Sequence, residues 1–139
     1  MTHPGVRLHS TLKESTILLV EDDRDVRILL GSLLAKMSNH VEVAPNGVRA
    51  LERLAAEDFD FVICDLQMPA VSGVEVCRFA RRNPRTIVLA ISGYLNSENA
   101  RLLDHLGVAF LAKPFRTTQL VDSLERLISA SRNPDPKAL

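Results

Sequence analysis

The chain is poor in what several kinds of protein are built from. Only two of its 139 residues are cysteine, Cys64 and Cys77, which excludes a disulfide-stapled scaffold. Cys64 lies inside an apolar run and is expected to be a reduced core thiol; neither cysteine is assigned a function. No apolar run approaches the roughly 18 residues needed to cross a bilayer, and residues 1–15 lack the apolar centre of a secretion signal. A cytoplasmic location without membrane contact is the resulting expectation. Charge of one sign is also missing, because 17 basic residues balance 17 acidic ones at a pI near 6.9. No overall field draws such a chain onto nucleic acid, and direct nucleic-acid binding is not expected.

What is present suits a single folded domain. Hydrophobic residues make up 46% and charged residues 24% of the chain, too apolar a mixture for a disordered protein. The length accommodates one core and leaves little room for a second. Five short apolar runs, at residues 17–20, 41–44, 61–64, 87–91 and 108–112, read as strands. Apart from the second, which Glu42 interrupts, they are continuous rather than alternating, as strands are when helices cover both faces of a parallel sheet.

Between the runs the apolar period lengthens to three and four. Val26, Leu29, Leu30, Leu33, Leu34 and Met37 mark the first helix, with Asp22 or Asp23 to cap it. Val48, Leu51, Leu54 and Ala55 mark a second, and Val74, Cys77 and Ala80 a third. Leu102, Leu103 and Leu106 mark a fourth, and Leu120, Val121, Leu124, Leu127 and Ile128 a fifth. Five repeats of strand then helix imply right-handed crossovers and an α/β fold with a doubly wound, five-stranded parallel sheet, helices on both faces. Pro45-Asn46-Gly47, Asn83-Pro84 and Lys113-Pro114 punctuate the pattern at turns. The domain is expected over residues 16–130, between a flexible N-terminal segment, 1–15, and a flexible C-terminal tail, 131–139.

The strand runs end in reactive residues: the first in Glu21 and Asp22, the third in Asp65, the fourth in Ser92 and the fifth in Lys113. Strand carboxyl ends line the ligand crevice of an open α/β sheet, and the flavodoxin-like order 2-1-3-4-5 would bring Glu21, Asp22 and Asp65 together. Two unit charges about 4 Å apart repel by about 4 kcal/mol at an effective dielectric near 20. Three carboxylates therefore call for a cation, and Mg²⁺ suits hard oxygen donors. An in-line nucleophile with cations and donors around the equatorial oxygens is what phosphoryl transfer requires. Taken singly, the acidic run reads as a helix cap, Lys113 as a surface lysine, Ser92 as a turn residue and Phe110 as core. Their joint placement at successive strand ends favours the site.

The motifs Leu19-Val20-Glu21-Asp22-Asp23, Cys64-Asp65-Leu66-Gln67-Met68-Pro69, Ile91-Ser92-Gly93 and Ala112-Lys113-Pro114-Phe115 resemble those of the receiver domains of bacterial two-component response regulators, in their chemotaxis-regulator-like form. The resemblance spans residues 16–129. It implies that Asp65 accepts a phosphoryl group from a histidine kinase or a histidine phosphotransfer protein. Glu21, Asp22, Asp65 and the Gln67 backbone carbonyl would hold Mg²⁺, with Mn²⁺ as an alternative, while Lys113 and Ser92 contact the phosphoryl oxygens. Asp23 falls outside the acidic pair. Ser92 and Phe110 correspond to the switch residues, Gly93 to a small residue that keeps the site open, and Lys113-Pro114 to a cis peptide bond. Gln67 and Tyr94 correspond to positions at the pocket mouth.

The same resemblance implies a downstream protein docking on the fourth helix, fifth strand and fifth helix, residues 96–129, and a phosphorylation-dependent dimer as a further arrangement. It implies no enzyme acting on other molecules, only a domain that catalyses its own phosphorylation and slow self-dephosphorylation. His3, His9, His40 and His105 show no ligand spacing. An aspartate-nucleophile phosphatase would need a second Asp two residues beyond Asp65; Gln67 stands there and cannot exchange a proton at neutral pH. A receiver-like binding module without phosphorylation would lack Asp65, Lys113 or the acidic pair, and none is missing. The stretch after residue 131 is too short to form a DNA-binding or catalytic domain, so output is expected through another molecule unless the chain is a fragment of a longer protein.

Overall fold

The computed structural model describes residues 12–132. Each apolar run becomes a strand: β1 (Thr16–Val20), β2 (His40–Ala44), β3 (Phe61–Asp65), β4 (Ile87–Ser92) and β5 (Ala109–Ala112). All pair in parallel in the order β2-β1-β3-β4-β5, as expected. The helices are α1 (Arg24–Ala35), α2 (Gly47–Ala56), α3 (Gly73–Ala80), α4 (Ser97–Leu106) and α5 (Thr117–Arg132).

Side chains alternate across a strand, so each strand feeds two layers. Leu18, Val20, Val62, Cys64, Val88 and Ala90 pack with Ala50 of α2, Val76 of α3 and Leu103 of α4. Ile17, Leu19, Phe61, Ile63, Leu89 and Ile91 pack with Leu30 and Leu34 of α1 and Leu120 and Leu124 of α5. Central β3 is buried along its whole length, which explains why its run is unbroken by polar residues.

Short polar side chains start the helices by accepting the N–H groups that a first turn leaves unpaired. Asp23 accepts from Val26 at 3.0 Å, Asn46 from Arg49 at 2.8 Å, Ser72 from Glu75 at 3.3 Å and Asn96 from Asn99 at 2.7 Å. Gly107, at φ 75°, ends α4 in the left-handed conformation that glycine adopts without a Cβ penalty.

Three local expectations are corrected. Strand β5 starts at Ala109 rather than Val108, because the Val108 N–H is spent on Leu103 O at 2.9 Å, closing α4. Leu29 is 64% exposed. A helix lying on a sheet buries an arc of about 100°; Leu30 and Leu34 centre that arc on α1, and Leu29, about 100° round the helix from Leu30, falls outside it. Val48 is 49% exposed, since Gly47 and Ala50 are the buried residues of α2 and Val48 lies about 100° round the helix from the one and about 200° from the other.

The end of the sheet where the strands begin is closed by hydrogen bonds. Thr16 donates through N–H and Oγ1 to Asp60 Oδ2 at 2.9 and 3.2 Å, and Thr86 Oγ1 donates to Phe59 O at 2.8 Å. The Arg81 guanidinium donates to Leu106 O, Pro84 O and Thr86 O at 2.8, 3.1 and 2.6 Å, tying α4 to the approach of β4. Segments 1–15 and 131–139 lie largely outside the described residues; Leu12–Glu14 form a 3₁₀ turn with Leu12 packed against the core. No helix among the described residues is long and apolar enough to cross a membrane.

Candidate functional site

Strand register assembles the site. Val20 pairs with Cys64, so Glu21 and Asp65, the next residue on each chain segment, emerge side by side at the sheet's carboxyl end. Ser92 pairs with Ala112, and the Lys113 N–H donates to Ser92 O at 2.9 Å, which aims Lys113 at the same crevice. One oxygen from each of Glu21, Asp22 and Asp65 lies within 4.8 Å of the others. Glu21 and Asp65 are 2% and 5% exposed, whereas Asp22 is exposed.

Both Asp65 oxygens have protein donors. Oδ1 accepts the Gln67 N–H at 2.9 Å and Oδ2 accepts Lys113 Nζ at 3.1 Å. Lys113 Nζ also lies 3.7 Å from Glu21 Oε1, and Glu21 Oε2 accepts the Asp23 N–H at 3.1 Å. The tight return of the chain after β3 depends on Gly73: a Cβ there would fall 2.2 Å from Asp65 O and 2.5 Å from Leu66 Cα. Gly93 lies between Gln67 and Lys113, where a Cβ would sit 3.9 Å from Gln67 Oε1 and 3.9 Å from Lys113 Cβ. The Lys113-Pro114 bond is cis.

The electrostatics are strained. Burial pushes the Glu21 carboxyl up to about 7; the Asp23 N–H and Lys113 oppose that rise, and Asp65 adds to it. Burial acts against the Lys113 ammonium, but the hydrogen bond and attraction of Asp65, joined by Glu21, outweigh it and raise its pKa. Cys64, held by Cys77 and by burial, is raised well above the usual thiol range, as fits a reduced core residue. With all three carboxylates ionised against one ammonium, two negative charges are in excess, the charge of one divalent cation. The all-oxygen donor set fits Mg²⁺.

Of the expected site residues, Glu21, Asp22, Asp65 and Lys113 come together, with Gln67 bonded to Asp65 through its N–H. Asp23 stands apart as the α1 cap. The hydroxyl of fully buried Ser92 is engaged within its own loop, donating to Tyr94 O at 2.6 Å and accepting the Tyr94 N–H at 3.2 Å. Phe110 sits opposite Ala90 on the β5 edge and is 37% exposed; Tyr94 is 71% exposed. His40 and His105 are both exposed. The sequence reading missed Arg27, whose Nη1 donates to Glu21 O at 3.0 Å and Asp22 O at 3.3 Å. Its position one helical turn after the Asp23 cap was the available signal.

Known proteins resemble the chain over this same stretch. A family model described as the response regulator receiver domain matches residues 17–125. The response regulator receiver protein CpdR of Brucella abortus is 35% identical over 120 residues, covering 83% of this chain and 98% of the relative. The response regulator MprA of Mycobacterium ulcerans is 33% identical over 124 residues, and there the chain spans 53% of the relative's length. Among solved structures, the Vibrio cholerae chemotaxis protein CheY4 superimposes with a TM-score of 0.72 at 27% identity, over 81% of this chain and 97% of that one.

Proposed function

Because this chain belongs to the response regulator receiver domain family, we propose that it accepts a phosphoryl group on Asp65 from a histidine kinase or a histidine phosphotransfer protein, and that the event changes a partner-binding surface. The observation that carries this reading is the buried Asp65 carboxylate with Lys113 Nζ 3.1 Å from Oδ2 and the Glu21 and Asp22 carboxylates beside it. In the transfer a carboxylate oxygen bonds to phosphorus as the phosphorus–nitrogen bond of the donor phosphohistidine breaks, and the imidazole leaves with its electron pair. A carboxylate nucleophile carries no proton to remove, so no general base is required.

Glu21, Asp22, Asp65 and the backbone carbonyl of Gln67 would hold Mg²⁺ or Mn²⁺, which when bound supplies positive charge for the phosphoryl oxygens. Lys113 exchanges its contact with Asp65 for a phosphoryl oxygen, and the open space at Gly93 admits the donor. The Ser92 hydroxyl leaves Tyr94 O for the stronger, charge-assisted acceptor that the phosphoryl group offers. Space vacated by that movement accommodates the Phe110 ring, which repacks the surface of α4, β5 and α5, where a downstream protein or a second copy docks.

The test is labelling from acetyl phosphate in Mg²⁺. Wild-type protein takes up one phosphoryl group, and Asp65→Asn takes up none; incorporation by Asp65→Asn at the wild-type rate refutes the assignment. Amide shifts with beryllofluoride test the switch, which fails if residues 96–129 do not respond or if Ser92→Ala responds unchanged.

A further inference from the structure

We propose that Arg27 is a positioning residue of this site, holding the loop of Glu21 and Asp22 in the shape that presents their carboxylates to a divalent cation. The proposal rests on the metal reading above. The two carbonyls that Arg27 Nη1 reaches, Glu21 O at 3.0 Å and Asp22 O at 3.3 Å, lie just ahead of α1. Among the described residues no other protein group donates to them; the first helical backbone bond runs from the Arg27 N–H to Asp23 O, at 2.8 Å. Glu21 is 2% exposed, so water has little access to its carbonyl, and a buried carbonyl without a donor is costly.

Loop shape and carboxylate direction are one property here. Glu21 N–H is fixed to Ala44 O at 3.1 Å, and Glu21 Oε2 turns back onto the Asp23 N–H at 3.1 Å. By fixing two successive carbonyls, Arg27 fixes the two peptide planes that follow Glu21 and Asp22. If those planes rotate to find water, the Asp23 N–H leaves Oε2 and the carboxylates of Glu21 and Asp22 lose their common focus with Asp65. The guanidinium suits the task because its N–H directions are rigid.

The experiment titrates Mg²⁺ by calorimetry into wild-type, Arg27→Met and Arg27→Lys protein. A second arm measures hydrogen exchange of the Asp23 amide without metal. Arg27→Met is expected to weaken Mg²⁺ binding roughly tenfold, the lower range for groups that orient metal ligands, and to speed Asp23 exchange. Arg27→Lys, which can still donate to a carbonyl, is expected to recover part of both. Unchanged Mg²⁺ affinity in a folded Arg27→Met protein overturns the proposal, as does an unchanged Asp23 exchange rate. If Arg27→Met does not fold, Arg27→Lys with wild-type affinity and exchange overturns it equally. Absence of Mg²⁺ binding to the wild-type protein would instead refute the metal reading, and the exchange arm would still decide the role of Arg27.

Discussion

The two ends of the sheet solve the problem of buried polar groups in opposite ways. Where the strands begin, donors and acceptors match: Thr16 meets Asp60, Thr86 meets the Phe59 carbonyl, and one Arg81 guanidinium serves three carbonyls. Where the strands finish, Glu21, Asp22 and Asp65 face one another, and among the described residues Lys113 is the one cation paired with them. The first end is complete as it stands. The second holds like charges together, a strain that the proposed cation would relieve, and β3 and both core layers keep the site in place.

If this contrast is right, the largest stability effect belongs to the satisfied end. Arg81→Met is expected to lower the unfolding free energy by about 3 kcal/mol in a urea titration, since three carbonyls lose one donor, while labelling of Asp65 keeps its wild-type rate. A loss below about 1 kcal/mol would mean that this end is not the anchor it resembles.

The strained end should respond with the opposite sign and a smaller size. In metal-free protein at neutral pH, Glu21→Gln and Asp65→Asn are each expected to raise stability by about 1 kcal/mol, because Asp65→Asn removes a like charge and Glu21→Gln removes a carboxyl whose ionisation burial opposes. Millimolar Mg²⁺ should raise the melting temperature of the wild type and raise that of either variant less. Destabilisation by both substitutions, with no Mg²⁺ effect on the wild type, would end the idea of a strained carboxylate group.

The smallest effect is expected away from both ends. Leu29→Gln and Val48→Thr should change stability by no more than about 0.5 kcal/mol, the usual range for exposed positions. A loss of 2 kcal/mol or more, the scale of a core truncation, would place these side chains in contacts that their exposure denies.

Much of this was legible in the sequence, for reasons that are local. A strand buried on both faces must be apolar at every position, so β1, β3 and β4 announced themselves as unbroken runs. Asp23 was one of two residues placed to cap the first helix, and its side chain accepts the Val26 N–H. Glu21, Asp22, Asp65, Ser92 and Lys113 were visible because polar residues that end such runs can only emerge at one edge of a parallel sheet.

The sequence by itself therefore determined the order of the elements, the two-layer core and the chemical composition of the crevice. Tertiary structure decided which group does what within it. It made Asp23 a cap and Asp22 a member of the carboxylate group, although the two are neighbours, because α1 begins at Arg24 and its Val26 and Arg27 N–H groups both reach back to Asp23. It put Leu29 and Val48 in solvent by seating α1 and α2 on Leu30, Leu34 and Ala50. It turned the Ser92 hydroxyl onto Tyr94 O and gave Arg27 the carbonyls of Glu21 and Asp22. Periodicity reports how a residue lies on its own element, whereas burial, charge and hydrogen-bond partners depend on elements that arrive from elsewhere in the chain.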